Sequence, residues 1–227
     1  MNLLRTTRGD SKAKGREDSM QQGDTISAIA TPQGEGGIGV IRISGEHALK
    51  TAGKVFEAKN GKPLVLAGSH HAVYGHIVDE KGQVVDEALA LVMLAPHSYT
   101  VEDVVELQCH GGLMTLRKTL ELTWKAGARP AERGEFTKRA FLNGRLDLSE
   151  AQAVMDIIQA RTETSLTMAA GHLTGHFSKG IHAMRHEILG MIAHIEAAID
   201  FPEDEVDDVL TYDIQKNVVE IRNKIAG

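Results

Sequence analysis

The sequence predicts an α+β N-terminal domain, a mixed sheet with helices, followed by an incomplete all-α helical domain. Two observations carry this expectation. Between Asp24 and about Leu142, short runs rich in Ile and Val, bounded by Gly or Pro, alternate with brief helical stretches. After Asn143 the strand signals stop and apolar residues recur three and four apart. At 227 residues, 42% of them hydrophobic, the chain is long enough for one large or two small domains with a real core. Aromatics make up only 4%, so Ile, Leu, Val, Met and Ala must fill that core.

The elements follow in order. Residues 1–23 are polar and mixed in charge, too poor in apolar groups to offset their ordering entropy, and are expected to be a disordered extension. Met20 offers an alternative start, with 1–19 as an added segment. Thr25–Thr31 and Ile38–Ser44 read as strands, and Glu46–Phe56 has helical spacing through Ala48, Ala52 and Val55. Ala72–Val78 and Val84–Met93 read as a hairpin across Glu80–Gln83. Val104–Cys109 is a further strand, ending at Gly111-Gly112, and a helix with a Leu113/Leu116/Leu120 stripe runs on to about Lys125. Beyond Asn143, Leu148, Ala151, Met155 and Ile158 form one stripe, with Ser149 and Glu150 in the first turn. Phe177, Ile181, Met184, Ile188, Met191 and Ile195 then form a long seam made to pack on partner helices. Pro202 is expected to end that helix and Tyr212–Ala226 to begin another, with the helical domain cut short.

Charge narrows the function classes. The formal net charge is −6; residues 1–23 hold five basic and three acidic groups, leaving a net of −8 elsewhere. Broad non-specific nucleic-acid binding, which draws on phosphate neutralisation, is disfavoured, although a local basic face stays open. One cysteine, Cys109, rules out an internal disulfide and fits a reducing compartment. Neither an apolar run of membrane-spanning length nor a signal-peptide h-region is present, so a cytoplasmic protein is expected.

Several motifs need a reading. Gly34, Gly36 and Gly39 spell G-x-G-x-x-G, but they lead into the strand-like Val40–Ser44 where a dinucleotide site needs a helix. A turn between strands explains them better than an NAD-binding oxidoreductase does. Arg42 lies opposite Ile41 and Ile43 and reads as an exposed strand arginine or a site residue. Glu106 interrupts the apolar run Val104–Leu107, so it needs either a structural ion-pair partner or a ligand. Cys109 and His110 are adjacent on a strand and point apart, which opposes a nucleophile–base pair and favours a buried structural cysteine. His172/His176 and His182/His186 have i,i+4 spacing, with His194 beyond. They lack the Glu of H-E-x-x-H and any nearby Cys, so a solvated polar face is the expectation, with no metal. Asp200–Asp208 has six acids in nine residues and reads as a loop. The G-x-x-x-x-G-K-[ST] loop is absent, so the residues show no site for GTP or ATP hydrolysis.

Four stretches carry a family resemblance: TPQGEGGIGVIRISG (31–45), SYTVEDVVELQCHGG (98–112), RGEFTKRAFLNGRLDLSEAQAV (133–154) and AAIDFPEDE (197–205). They resemble the MnmE (TrmE) family of tRNA-modification GTPases, and the third is the most specific. The resemblance implies a folate-binding and dimerising domain at 24–142, similar to the folate domain of aminomethyltransferases. It implies the first part of a helical domain at 143–227, truncated before the GTPase domain that would hold GTP, Mg and K. The implied activity of the whole protein is modification of the tRNA wobble uridine, with an MnmG-type flavin-dependent partner. The implied one-carbon donor is a tetrahydrofolate derivative, 5-formyl- or 5,10-methylene-tetrahydrofolate. No catalytic residue is assigned; the folate contacts fall by position on Arg42, Glu106 and Arg145. Two departures stand out: Arg133 where the family usually has Pro, and Val101 where it usually has Gly. If the loop needs φ > 0, a β-branched Val101 takes it poorly. Two other function classes remain: a dimerisation module with a vestigial folate site, and a folate-dependent aminomethyltransferase-like enzyme.

Overall fold

The computed structural model describes residues 24–32, 34, 36–200 and 208–226. The extension 1–23, Pro202 and most of the acidic run at 200–208 lie outside the described residues. The chain divides into two compact units. The sheet unit runs to Ala67 and takes in Ala72–Leu91 and Val105–Pro130; the helical unit takes in Gly68–His71, Val92–Val104 and everything from Ala131.

The expected strands form one seven-stranded sheet: β1 (Ile26–Ile29), β2 (Gly36–Ser44), β3 (Phe56–Ala58), β4 (His71–Val78), β5 (Val84–Met93), β6 (Val104–Gly111) and β7 (Arg129–Pro130), in the order β3-β4-β5-β6-β2-β1-β7. It is mixed: β1 pairs antiparallel with β2, setting Ile26 opposite Ser44, and parallel with β7. Alternation on β2 buries Ile41 and Ile43 and turns Val40 and Arg42 to the other face. The hairpin joining β4 to β5 closes through Asp79, whose N–H donates to the Gln83 carbonyl, with Gly82 at φ 74°.

Two helices cover the sheet unit. α1 (Ala48–Val55) buries Ala48, Ala52 and Val55, as its spacing predicts, together with Leu49. α2 (Leu113–Lys125) turns differently from the expected leucine stripe: Leu113 is exposed, and the buried face is Leu116, Thr119, Leu122 and Thr123. The threonines enter the core because their hydroxyls are satisfied. Thr119 donates to the Thr115 carbonyl at 2.9 Å and Thr123 to that of Leu120 at 2.7 Å. Ser27 on β1 meets Thr123 at 2.8 Å, a polar tie from sheet to helix. Leu116 packs so closely over β2 that a Cβ at Gly39 would lie 2.6 Å from it, which accounts for that glycine.

The helical unit includes α3 (Glu135–Leu142), α4 (Leu148–Gln159), α5 (Glu163–Leu173), α6 (His176–Asp200) and α7 (Asp208–Ala226), with the segments 68–71 and 92–104 and the strand ends they contain. Its starts are set by polar chemistry. Asp147 and Glu150 form a capping box on α4, and Thr162 and Ser165 do the same on α5. The stripe expected on α4 faces outward: Leu148, Met155 and Ile158 are exposed, and Ala153 is the buried residue. The α6 seam is one continuous helix, but Ile181, Ile188 and Ile195 are exposed and only Met191 of the described seam side chains is buried. Among the described residues, no helix is long and apolar enough to cross a membrane.

Candidate functional site

Arg42 and Glu106 are each other's partner. β2 and β6 are neighbours in the sheet, which brings together residues 64 positions apart: Arg42 Nε lies 2.8 Å and Nη2 2.7 Å from Glu106 Oε1. Their side chains are 25% and 15% exposed, so the charge is half-buried and charge-assisted hydrogen bonds offset its desolvation. The acid that breaks the apolar run at 104–107 therefore has a structural partner.

Arg145 belongs to the helical unit. It follows Gly144, whose φ of 75° ends the turn after α3, and its exposed guanidinium lies 4.8 Å from the Tyr99 ring centroid. With Asn143, His97 and Val101 they line an open cavity of about 670 Å³, within the usual range for ligand pockets. Asn143 Nδ2 donates to the Thr100 carbonyl at 2.6 Å, and Tyr99 Oη meets Thr137 Oγ1 at 2.9 Å. Val101, at φ 67°, sits in the left-handed region that disfavours β-branched residues. The loop does demand positive φ there. Arg133 is exposed, immediately before Gly134 at φ 71°.

The most distinctive sequence stretch, 134–151, is a structural clamp. Gly134 turns the chain into α3, placing Glu135 (2% exposed) and Arg139 (8%) on one buried face. Glu135 accepts from Arg139 Nη2 at 3.0 Å and from the Glu132 N–H at 2.7 Å. Arg139 Nη1 donates to both carboxylate oxygens of Glu102, at 2.9 and 3.1 Å. The sequence reading missed this triad, yet Glu135 and Arg139 at i,i+4 were a signal for it.

The remaining candidates separate. Cys109 is buried at 3% exposure, and desolvation pushes its thiol up to about 12, so it is not a nucleophile. His110 faces outward, its Nδ1 2.6 Å from Asp86; that hydrogen bond raises the imidazole above its ordinary value. His172 lies in α5 while His176 opens α6 beyond Gly175 at φ 71°, so the two residues belong to different helices. Among the described residues, no group of three or more His, Cys, Asp or Glu side chains is placed to hold a metal. Gly36 and Gly39 of the G-x-G-x-x-G motif both lie within strand β2, not at a helix start.

A seven-stranded mixed sheet with helices in one unit and a run of helices in the other define an α+β domain followed in the chain by a helical domain. The family model for the GTP-binding protein TrmE N-terminus matches residues 25–145, and that for the MnmE helical domain matches residues 148–227. The chain belongs to the MnmE (TrmE) family. It is 55% identical over 184 residues to the tRNA modification GTPase MnmE of Symbiobacterium thermophilum, covering 81% of this chain and 40% of that protein. Against the proteins of the same name in Alkaliphilus metalliredigens and Carboxydothermus hydrogenoformans, it is 49% and 52% identical over 203 residues, covering 89% of this chain and 44% of each. The chain thus spans less than half the length of these relatives.

Proposed function

We propose that the chain is the folate-binding, dimerising N-terminal part of a cytoplasmic tRNA-modification GTPase. One observation supports this above the rest: the two family matches follow one another along nearly the whole described chain, and relatives about half identical to it are named tRNA modification GTPases. In the reading, a tetrahydrofolate derivative supplies the one-carbon unit, and the flavin-dependent partner and the tRNA join the whole protein. The P-loop signature is absent from the sequence, so GTP hydrolysis is not assigned to these residues.

Each proposed folate contact has a chemical role. Glu106 accepts the amino edge of the pterin, and Arg42 and Arg145 meet its carbonyl or the anionic glutamate tail. Because Glu106 already holds Arg42, ligand binding shares or displaces that contact, and substitutions at the two positions are expected to be non-additive. The test is a calorimetric titration of 5-formyl-tetrahydrofolate into the parent, Glu106→Ala and Arg145→Ala. Binding by the parent that falls at least tenfold in each variant is expected; a variant that binds as the parent does removes its residue from the site.

A second reading draws on Val101. Its strained backbone lines the cavity beside Arg145, so the chain acts as a dimerisation module whose folate site is vestigial. A parent that binds no folate but has a dimeric mass in light scattering selects this reading. A monomeric mass at micromolar concentration excludes dimerisation in both.

A further inference from the structure

The sheet unit carries a second cavity that the folate reading leaves unused. It measures about 730 Å³ and lies along α1, β3 and the loop after it, floored by Leu49, Phe56 and Leu64. Its rim is basic: Lys50 and Lys54 stand one turn apart on α1, and Lys62 follows the turn at Gly61 (φ 67°). Glu57 is the acid among the lining residues. Residues 48–67 hold four lysines against that one acid, in a chain whose formal net charge is −6.

The placement of these lysines is the informative part. Among the described residues, no ion pair engages Lys50, Lys54, Lys59 or Lys62, whereas Lys125 and Lys224 each hold a glutamate. Lys54 Nζ instead donates to the Ala126 carbonyl at 2.8 Å, and Lys59 lies over the Tyr74 ring at 5.0 Å. All four side chains reach solvent. The lining has no arginine fork and no aromatic polar group, so it lacks the few converging polar groups that orient a small molecule. Lysine point charges outside any ion pair, over an apolar floor, suit a polyanion read by its backbone, where lysines fix position without reading sequence.

We infer that this lysine-rimmed groove is a docking surface for the phosphate backbone of an RNA, namely the tRNA substrate. The inference rests on the tRNA-modification reading above. It reconciles an acidic chain with an RNA partner, because acids elsewhere repel the polyanion and a local lysine-rich patch attracts it.

The experiment is fluorescence anisotropy of a labelled tRNA with the 227-residue chain, from 50 to 200 mM salt. Three to four phosphate contacts predict a log–log salt slope of roughly −3, or about a hundredfold loss across that range. K50Q/K54Q/K62Q is expected to bind at least tenfold more weakly with a shallower slope. Since Lys54 also ties α1 to Ala126, K50Q/K62Q serves as the fold-neutral variant, and K50R/K62R should keep the parent affinity. If both Gln variants bind as the parent does, the groove is not the docking surface while the tRNA reading stands. If the parent binds no tRNA at 50 mM salt, the docking inference falls, whereas the tRNA-modification reading belongs to the whole protein and stands apart from that result. Displacement of tRNA by polyglutamate as effectively as by unlabelled tRNA also overturns the RNA assignment. The folate reading is judged separately, because these variants should titrate with 5-formyl-tetrahydrofolate as the parent does.

Discussion

In the sheet unit the fully buried side chains include Ile26, Ile41, Ile43, Ile77 and Leu107, and the Arg42–Glu106 ion pair still reaches solvent. In the helical unit Glu135 is as buried as those isoleucines, while Leu148 and Ile158 are 73% and 71% exposed. The two units therefore reach a definite structure by different means. Strands 64 positions apart close an apolar layer in the first, where non-local burial supplies the stability. In the second, capping boxes and the Glu102–Arg139–Glu135 triad set where helices start and how α3 is turned. A buried ion triad fixes geometry more than it stabilises, because desolvation consumes most of its Coulomb energy.

The largest effect should come from breaking that triad. Arg139→Met leaves two carboxylates facing each other without a cation, and is expected to cost about 3–5 kcal/mol in urea unfolding. Simultaneous replacement of all three by apolar residues should recover most of that loss. If Arg139→Met is nearly neutral, polar specification of the helical unit is wrong.

Relieving strain comes next. Val101→Gly removes a Cβ from a left-handed position worth roughly 1–2 kcal/mol, against a glycine entropy penalty of about 0.5–1 kcal/mol, so a net gain of about 1 kcal/mol or less is expected. A loss of stability in thermal unfolding would mean that Val101 contributes packing that outweighs its strain.

The smallest effect concerns surface charge on the sheet unit. Asp86 raises the His110 imidazole above its unfolded value of about 6.5. The stabilisation is therefore fully present below that pH and lost as pH rises through the folded value. His110 is mostly exposed, so only a slight decline in thermal stability is expected between pH 6 and 8, and Asp86→Asn should flatten it. An unchanged His110 titration by NMR in Asp86→Asn would sever the assigned link.

These contrasts also explain what the sequence made legible. Strands β2, β4, β5 and β6 could be read because Ile and Val runs between glycines are a local signal. The helices were readable as helices, but not their faces. Spacing alone ranked Leu113 and Leu148 as core, whereas the buried surface went to Thr119, Thr123 and Ala153, whose small or self-satisfied side chains permit close approach. Arg42 and Glu106 each stood out as charges within apolar strands, but that they were each other's partner depended on the strand order, which no local pattern carries. Positive φ at Val101 was legible only through the resemblance to a family with glycine there.

The single cysteine gives the sheet unit a built-in reporter. Cys109 is sealed within β6 with its thiol held protonated at physiological pH, so a maleimide or disulfide reagent has nothing to attack while the strand stays closed. With one thiol in the whole sequence, the rate at which label appears measures how often that strand opens, with no competing signal from the helices.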